Sequence, residues 1–225
     1  MRRRRGISPL GPPRRRDLRW FELSRGARTS VRALRRHLGT RAMLRVVAAV
    51  LRRARLDPLR GIAVAGWDPG NVALARHQLR PVLLLDDALR DVLALSDDRR
   101  LAILRDVVAD TGAEFVRTSM PVPERASWRA ADADRRRAFA RSLTARMFNT
   151  RVEQLEVAED RLEFDVTACL FVELCRAARR PEVAPLFCEA DARRFDCRDS
   201  LVSLRRTRTI AGGDERCDFR FRYRD

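Results

Sequence analysis

The sequence predicts an α+β fold: a largely helical N-terminal two-thirds packed with a small antiparallel sheet and two helices at the C-terminus. Apolar residues recur at helical spacing as far as Asn149 and switch to alternation after it. A glycine-rich turn then separates two alternating runs at the C-terminus. With 225 residues and 45% hydrophobic content, the chain has the material for a substantial core.

The elements follow in order. Residues 1–36 hold 13 arginines against Asp17 and Glu22, a net charge of +11, with Pro9, Pro12 and Pro13 among them. They read as a disordered basic arm, and residues 37–225 as one α+β domain whose motif-bearing part is 150–225. Thr40 can cap a helix with Met43, Leu44, Val47, Val50 and Leu51 on one side, ended by Asp57-Pro58. Asp68-Pro69 supplies a cap and a first-turn proline for a short helix to Leu79, and Pro81 restarts the chain through Leu95. Ser96 caps the next helix, striped by Leu101, Leu104, Val107 and Val108 and closed by Gly112. Another helix spans Arg135 to Phe148.

Beyond Asn149, Val152, Leu155 and Val157, then Leu162, Phe164 and Val166, predict two strands joined at Glu159-Asp160. Helices follow over Ala168–Arg179 and from Pro181 to Phe195. The end reads as a hairpin, Leu201–Ile210 and Arg216–Tyr223 around Ala211–Glu215. Its second strand puts Cys217, Phe219, Phe221 and Tyr223 on one face and Asp218, Arg220 and Arg222 on the other.

Charge narrows the function classes. All 48 basic residues are arginine, which points to coding bias more than to phosphate binding, since lysine serves phosphates as well. Beyond residue 36 the net charge is about +6, so nucleic acid bound through the arm is the lesser reading. No apolar run is long enough to cross a bilayer, and no apolar stretch follows Arg16 as a signal peptide requires. Five cysteines, an odd number, lie in the last 57 residues, which fits reduced thiols and a cytoplasmic location. A small-molecule substrate, no membrane and no cofactor are therefore expected; a homo-oligomer is left open.

Phosphate-cradling glycine loops, Cys-x-x-Cys pairs and nucleophile elbows are missing from the sequence. His37 and His77 stand far upstream of the cysteines and read as surface or packing residues. The informative stretch contains Val166-Thr167-Ala168-Cys169 and Cys188-Glu189-Ala190-Asp191. Arg206-Thr207-Arg208-Thr209 and Gly213-Asp214-Glu215-Arg216-Cys217-Asp218-Phe219 complete it.

This order resembles the L-2-amino-thiazoline-4-carboxylic acid hydrolase family, with its Val-Thr-x-Cys, Cys-x-x-Asp, Arg-Thr-x-Thr and Gly-Asp-x-x-Cys-Asp-Phe segments. The resemblance covers the last third of the chain, and its ending is also similar to distant 4-vinyl-reductase-type domains. The short segment from Asp191 to Leu201, with Cys197 in it, departs from the family pattern, as does the arginine arm. The resemblance implies hydrolytic opening of a 2-amino-thiazoline or related cyclic amidine to a carbamoyl-cysteine product. Cys188 and Asp191, three apart on a helix, are the candidate catalytic residues. Asp191 would position water; Cys188 would attack only if an arginine lowered its pKa. Arg206, Arg208, Thr207 and Cys169 are the candidate substrate-binding residues, an arginine fork suiting a carboxylate. Gly213, Asp214, Cys217, Asp218 and Phe219 read as a structural motif. A zinc site from Cys169, Cys188 and Cys217 is the lesser alternative, given irregular spacing and no neighbouring histidine. A non-catalytic small-molecule-binding or pathway accessory domain on the same fold is the competing function.

Overall fold

The structure is a computed structural model that describes residues 7–11 and 15–224. It is mostly helical with one four-stranded antiparallel sheet, the predicted class. Helix α1 (Arg15–Phe21) passes through a π-helical turn (Glu22–Gly26) into α2 (Ala27–Arg52), then α3 (Pro69–Leu93) and α4 (Asp97–Ser119). Short α5 (Arg125–Arg129) and α6 (Ala133–Thr144) lead to strands β1 (Thr150–Val157) and β2 (Arg161–Cys169). Helices α7 (Leu170–Ala177) and α8 (Ala184–Phe195) precede β3 (Val202–Arg205) and β4 (Cys217–Tyr223).

The caps act as their residue types predict. Asp68 accepts a hydrogen bond from the Asn71 amide with Pro69 at the first helical position, and Ser96 accepts from the Arg99 amide. Three sequence expectations need correction. Pro81 does not divide α3, which runs on to Leu93. Gly112 does not end α4, which continues to Ser119. Most of the basic arm is helix: Leu18, Phe21, Ala33 and Leu34 are buried, and the arginines between them occupy the outer face. The density of charge concealed apolar residues at helical spacing. Residues 1–6 and 12–14 of that arm lie outside the described residues. Gly39, at φ 69° and ψ 173°, breaks α2 one residue before the predicted cap Thr40. Beyond the break Met43, Val46 and Ala49 are buried, while Leu44 and Leu51 are exposed, so the inward face is rotated from the one expected.

Gly112 instead serves packing. A Cβ built on it would stand 2.5 Å from Ala190 Cβ, so α4 and α8 touch at a point only glycine permits. Gly112→Val should lower unfolding stability by about 1–3 kcal/mol through overpacking. Urea denaturation checks this; an unchanged midpoint would mean that the two helices separate without cost.

The sheet order is β1-β2-β4-β3, every neighbouring pair antiparallel. Phe164 faces Phe219 across β2 and β4 with ring centroids 4.9 Å apart, and Val166 faces Cys217. These four residues form the buried apolar cluster of the sheet, separate from the larger core among α2, α3, α4 and α7. The other face is ionic, with buried Asp165 bonded to Arg220 at 2.6 Å. The helical core encloses Asp86, which is fully buried and bonded to Arg100 of α4 and to Arg180 before α8. Strands β3 and β4 pair as the predicted hairpin, but over Val202–Arg205 only. Residues 206–216 leave the sheet as a strap containing a 3-10 turn, and this strap shapes the site.

Candidate functional site

Helix α8 presents Cys188 and Asp191 on one face, as the three-residue spacing predicts, and both line a cavity of about 560 Å³. Arg206, the first residue after β3, reaches back to α8. Its Nη1 donates to Asp191 Oδ2 at 2.8 Å, its Nη2 donates to the Cys188 carbonyl at 2.6 Å, and its guanidinium lies 4.9 Å from the Phe219 ring centroid. Carboxylate, guanidinium and aromatic face thus fix one another's positions.

The motif residues build the strap that carries Arg206. Asp218 accepts from the Thr207 amide at 2.9 Å, the Thr207 hydroxyl at 2.7 Å and the Arg208 amide at 2.6 Å. Although partial burial opposes it, these bonds hold the Asp218 carboxyl below the ordinary carboxylate range. Asp214 accepts from the Thr209 amide at 2.7 Å, and the Thr209 hydroxyl accepts from the Gly212 amide at 3.1 Å. Gly213 closes the turn at φ 106°, where a side chain would be strained. Three successive amides, 207 to 209, are therefore captured by two carboxylates. Asp218 pairs with backbone here, not with Arg220 or Arg208.

Cys169, Cys188 and Cys217 all line the same cavity, and all five cysteines are free thiols. Burial pushes the Cys188 thiol up to about 12; Arg206 pulls the other way and does not prevail. Burial likewise raises Cys169 to about 11 despite the backbone amides of Val172 and Phe171 at the start of α7. Cys217 is also raised by burial, against the Ile210 amide that donates to its sulfur at 3.3 Å. At Cys188 burial thus outweighs the arginine beside it, the opposite of the direction that favours a thiolate. Asp191 behaves differently from a surface carboxylate: burial raises its pKa, opposed by the charge and hydrogen bond of Arg206. Among the described residues, no group of three or more His, Cys, Asp or Glu is arranged to hold a metal.

Not every candidate reaches the cavity. Thr207 and Arg208 are exposed and absent from its lining, because Asp218 turns their backbone outward to serve the strap. Asn149 and Arg146 line it although the sequence reading passed over them. Asn149 marks the switch from helical spacing to alternation, and its carbonyl accepts from Leu170 N at 2.8 Å beside Cys169. His37 and His77 are not in its lining; their ring nitrogens hydrogen-bond with Asp106 at 2.7 Å and Glu22 at 2.8 Å. A smaller cavity of about 80 Å³ lies against the apolar sheet face, and Asp191 and Phe219 line both cavities.

The family model for L-2-amino-thiazoline-4-carboxylic acid hydrolase matches residues 81–221, more than half of the chain. The chain belongs to that family. The match reaches well upstream of the motif-bearing third, taking in most of α3 and all of α4, so the hydrolase family relationship covers the helical spine as well as the sheet. Cys188, Asp191, Arg206 and the strap all fall within the region this family shares. Searches of curated proteins and of solved structures returned no significant match.

Proposed function

We propose that this protein hydrolyses a 2-amino-thiazoline carboxylate or a related cyclic amidine, with Asp191 as the residue that handles the proton. The Asp191–Arg206 pair at the α8 end of a mainly apolar cavity carries this reading, together with family membership. A carboxylate raised by burial is a stronger base than one in water, and so better suited to take a proton from water. Water held by Asp191 adds to the amidine carbon and gives Asp191 its proton. The tetrahedral carbon then expels the ring sulfur, which takes that proton back, while the proton of the added hydroxyl passes to the ring nitrogen and leaves the carbamoyl carbonyl. Water is consumed, the C–S bond breaks and the C–O bond forms, leaving an N-carbamoyl amino acid with a free thiol. Arg206 keeps the nearer Asp191 oxygen occupied and so aims the other at the water. Its positive charge also favours a bound carboxylate.

In this scheme Cys188 is a protonated thiol lining the site. Cys188→Ser should therefore retain turnover within about tenfold, since a general acid or base is worth about 10²–10⁴-fold and a bystander far less. Product formation from 2-amino-thiazoline-4-carboxylate, followed as N-carbamoylcysteine, checks both claims. A Cys188→Ser enzyme without activity but with an intact fold would move the chemistry to the thiol. Failure of the wild-type protein to form any product would remove the substrate.

The length of the cavity favours a second reading, a small-molecule-binding accessory domain. Tight binding of the thiazoline without turnover would select it.

A further inference from the structure

The cavity is too large for the head group alone. A cavity of roughly 150 Å³ suffices for a benzene ring, so a single thiazoline ring fills about a quarter of the 560 Å³ available here. The remainder runs between α2, α3 and α4, with Leu34, Val47 and Val50 on one wall and Val82 and Leu85 on another. Two polar pairs along these walls are engaged with each other: Glu22 with His77 at 2.8 Å, and Ser30 with Thr111 at 2.9 Å. Val31 and Leu51, which also line the cavity, are 40% and 68% exposed, so it opens to solvent beside α2. A charged pair lies at the α8 end, where Arg206 meets Asp191 at 2.8 Å.

We propose that the ligand is amphiphilic: a cyclic amidine head seated at Asp191 and Arg206, carrying an alkyl or acyl chain that lies between α2 and α3. A cationic amidine head pairs with the Asp191 carboxylate, and a carboxylate on it with Arg206. The chain removes apolar wall from water, which is what a space of this shape and lining rewards. This assignment rests on the hydrolase reading for the head group and on the cavity alone for the chain.

The test uses alkylamidinium salts from acetamidinium to dodecanamidinium as probes, titrated calorimetrically into the full-length protein. Affinity should rise about threefold to fourfold per methylene until the cavity is filled. Val50→Trp and Val82→Trp, on different helices, should each shorten the best chain and leave acetamidinium binding unchanged. Circular dichroism and the acetamidinium titration confirm that each variant is folded, and Val50→Phe provides a milder step. Affinity independent of chain length overturns the proposal. So does chain-dependent binding that neither tryptophan variant alters, because the chain would then bind elsewhere. Chain-dependent binding without turnover of any thiazoline keeps the ligand class and removes the hydrolase reading. Turnover of the unsubstituted thiazoline with no chain preference does the reverse.

Discussion

Asp191→Asn is expected to reduce hydrolysis by about 10²–10⁴-fold, the usual contribution of a positioned acid or base. The asparagine amide keeps the size of the side chain, and its oxygen can still accept from Arg206 Nη1, now 2.8 Å from Asp191 Oδ2. What it loses is the capacity to take a proton. The fold should therefore survive, with substrate affinity changed far less than turnover. The pH profile gives an independent readout. Burial raises the Asp191 pKa, while Arg206 works to lower it. The base form is lost as pH falls through that raised value, so the acid limb of the wild-type rate should lie above the ordinary carboxylate range. Asp191→Asn should flatten that limb in whatever activity persists. A variant that keeps the limb, or keeps full turnover, would place the proton-handling group elsewhere.

Asp86→Ala should be the most destabilising single change of this kind, by about 3–5 kcal/mol, because it strands a buried cation. Asp86 is fully buried, and Arg100 opposite it is 3% exposed. With the carboxylate gone, Arg100 keeps only Asp97, which stands at the surface, and Arg180 keeps only Asp87. A loss of that size is a large share of the about 5–15 kcal/mol that holds a typical domain together. Asp97→Ala, in the exposed half of the same network, should cost no more than about 1 kcal/mol. The paired change Asp86→Leu with Arg100→Met should recover most of the loss, since desolvation of both ions disappears together. Thermal and urea unfolding of the four proteins decide the matter. Equal losses at Asp86 and Asp97 would show that the buried pair is no stronger than a surface one.

These residues also show what the sequence can and cannot convey. The caps at Asp68 and Ser96 and the alternation from Val152 to Val166 were legible because each obeys a rule of local stereochemistry. Cys188 and Asp191 were legible as a pair because their spacing is that of one helix face. Arg206 could be named from the Arg-Thr-x-Thr segment, but its partners could not. They depend on the strap folding back upon α8, and that in turn on Asp218 and Asp214 taking three amides. The buried role of Asp86 was invisible, because its partners Arg100 and Arg180 stand 14 and 94 residues away. The helical start of the chain was missed for a compositional reason. Arginine at high density reads as a solvated run, whereas here it coats a helix whose other side carries Leu18, Ala33 and Leu34 into the core.

The strap lies within the stretch that the family model matches, whereas one wall of the cavity precedes it. Asp191, Arg206 and the residues that lock them lie within 81–221, whereas Phe21, Val31, Leu34, Val47, Val50 and Leu51 all precede that region. The Asp191–Arg206 pair and that wall thus lie on separate stretches of polypeptide, while Val82, Leu85, Val107 and Val108 line the cavity from within the matched region. Residues ahead of position 81 can diverge and resize the α2 side of the chamber while the Asp191–Arg206 pair stays where its strap has locked it. A grafted N-terminal segment becomes the natural handle for redirecting this scaffold to new molecules.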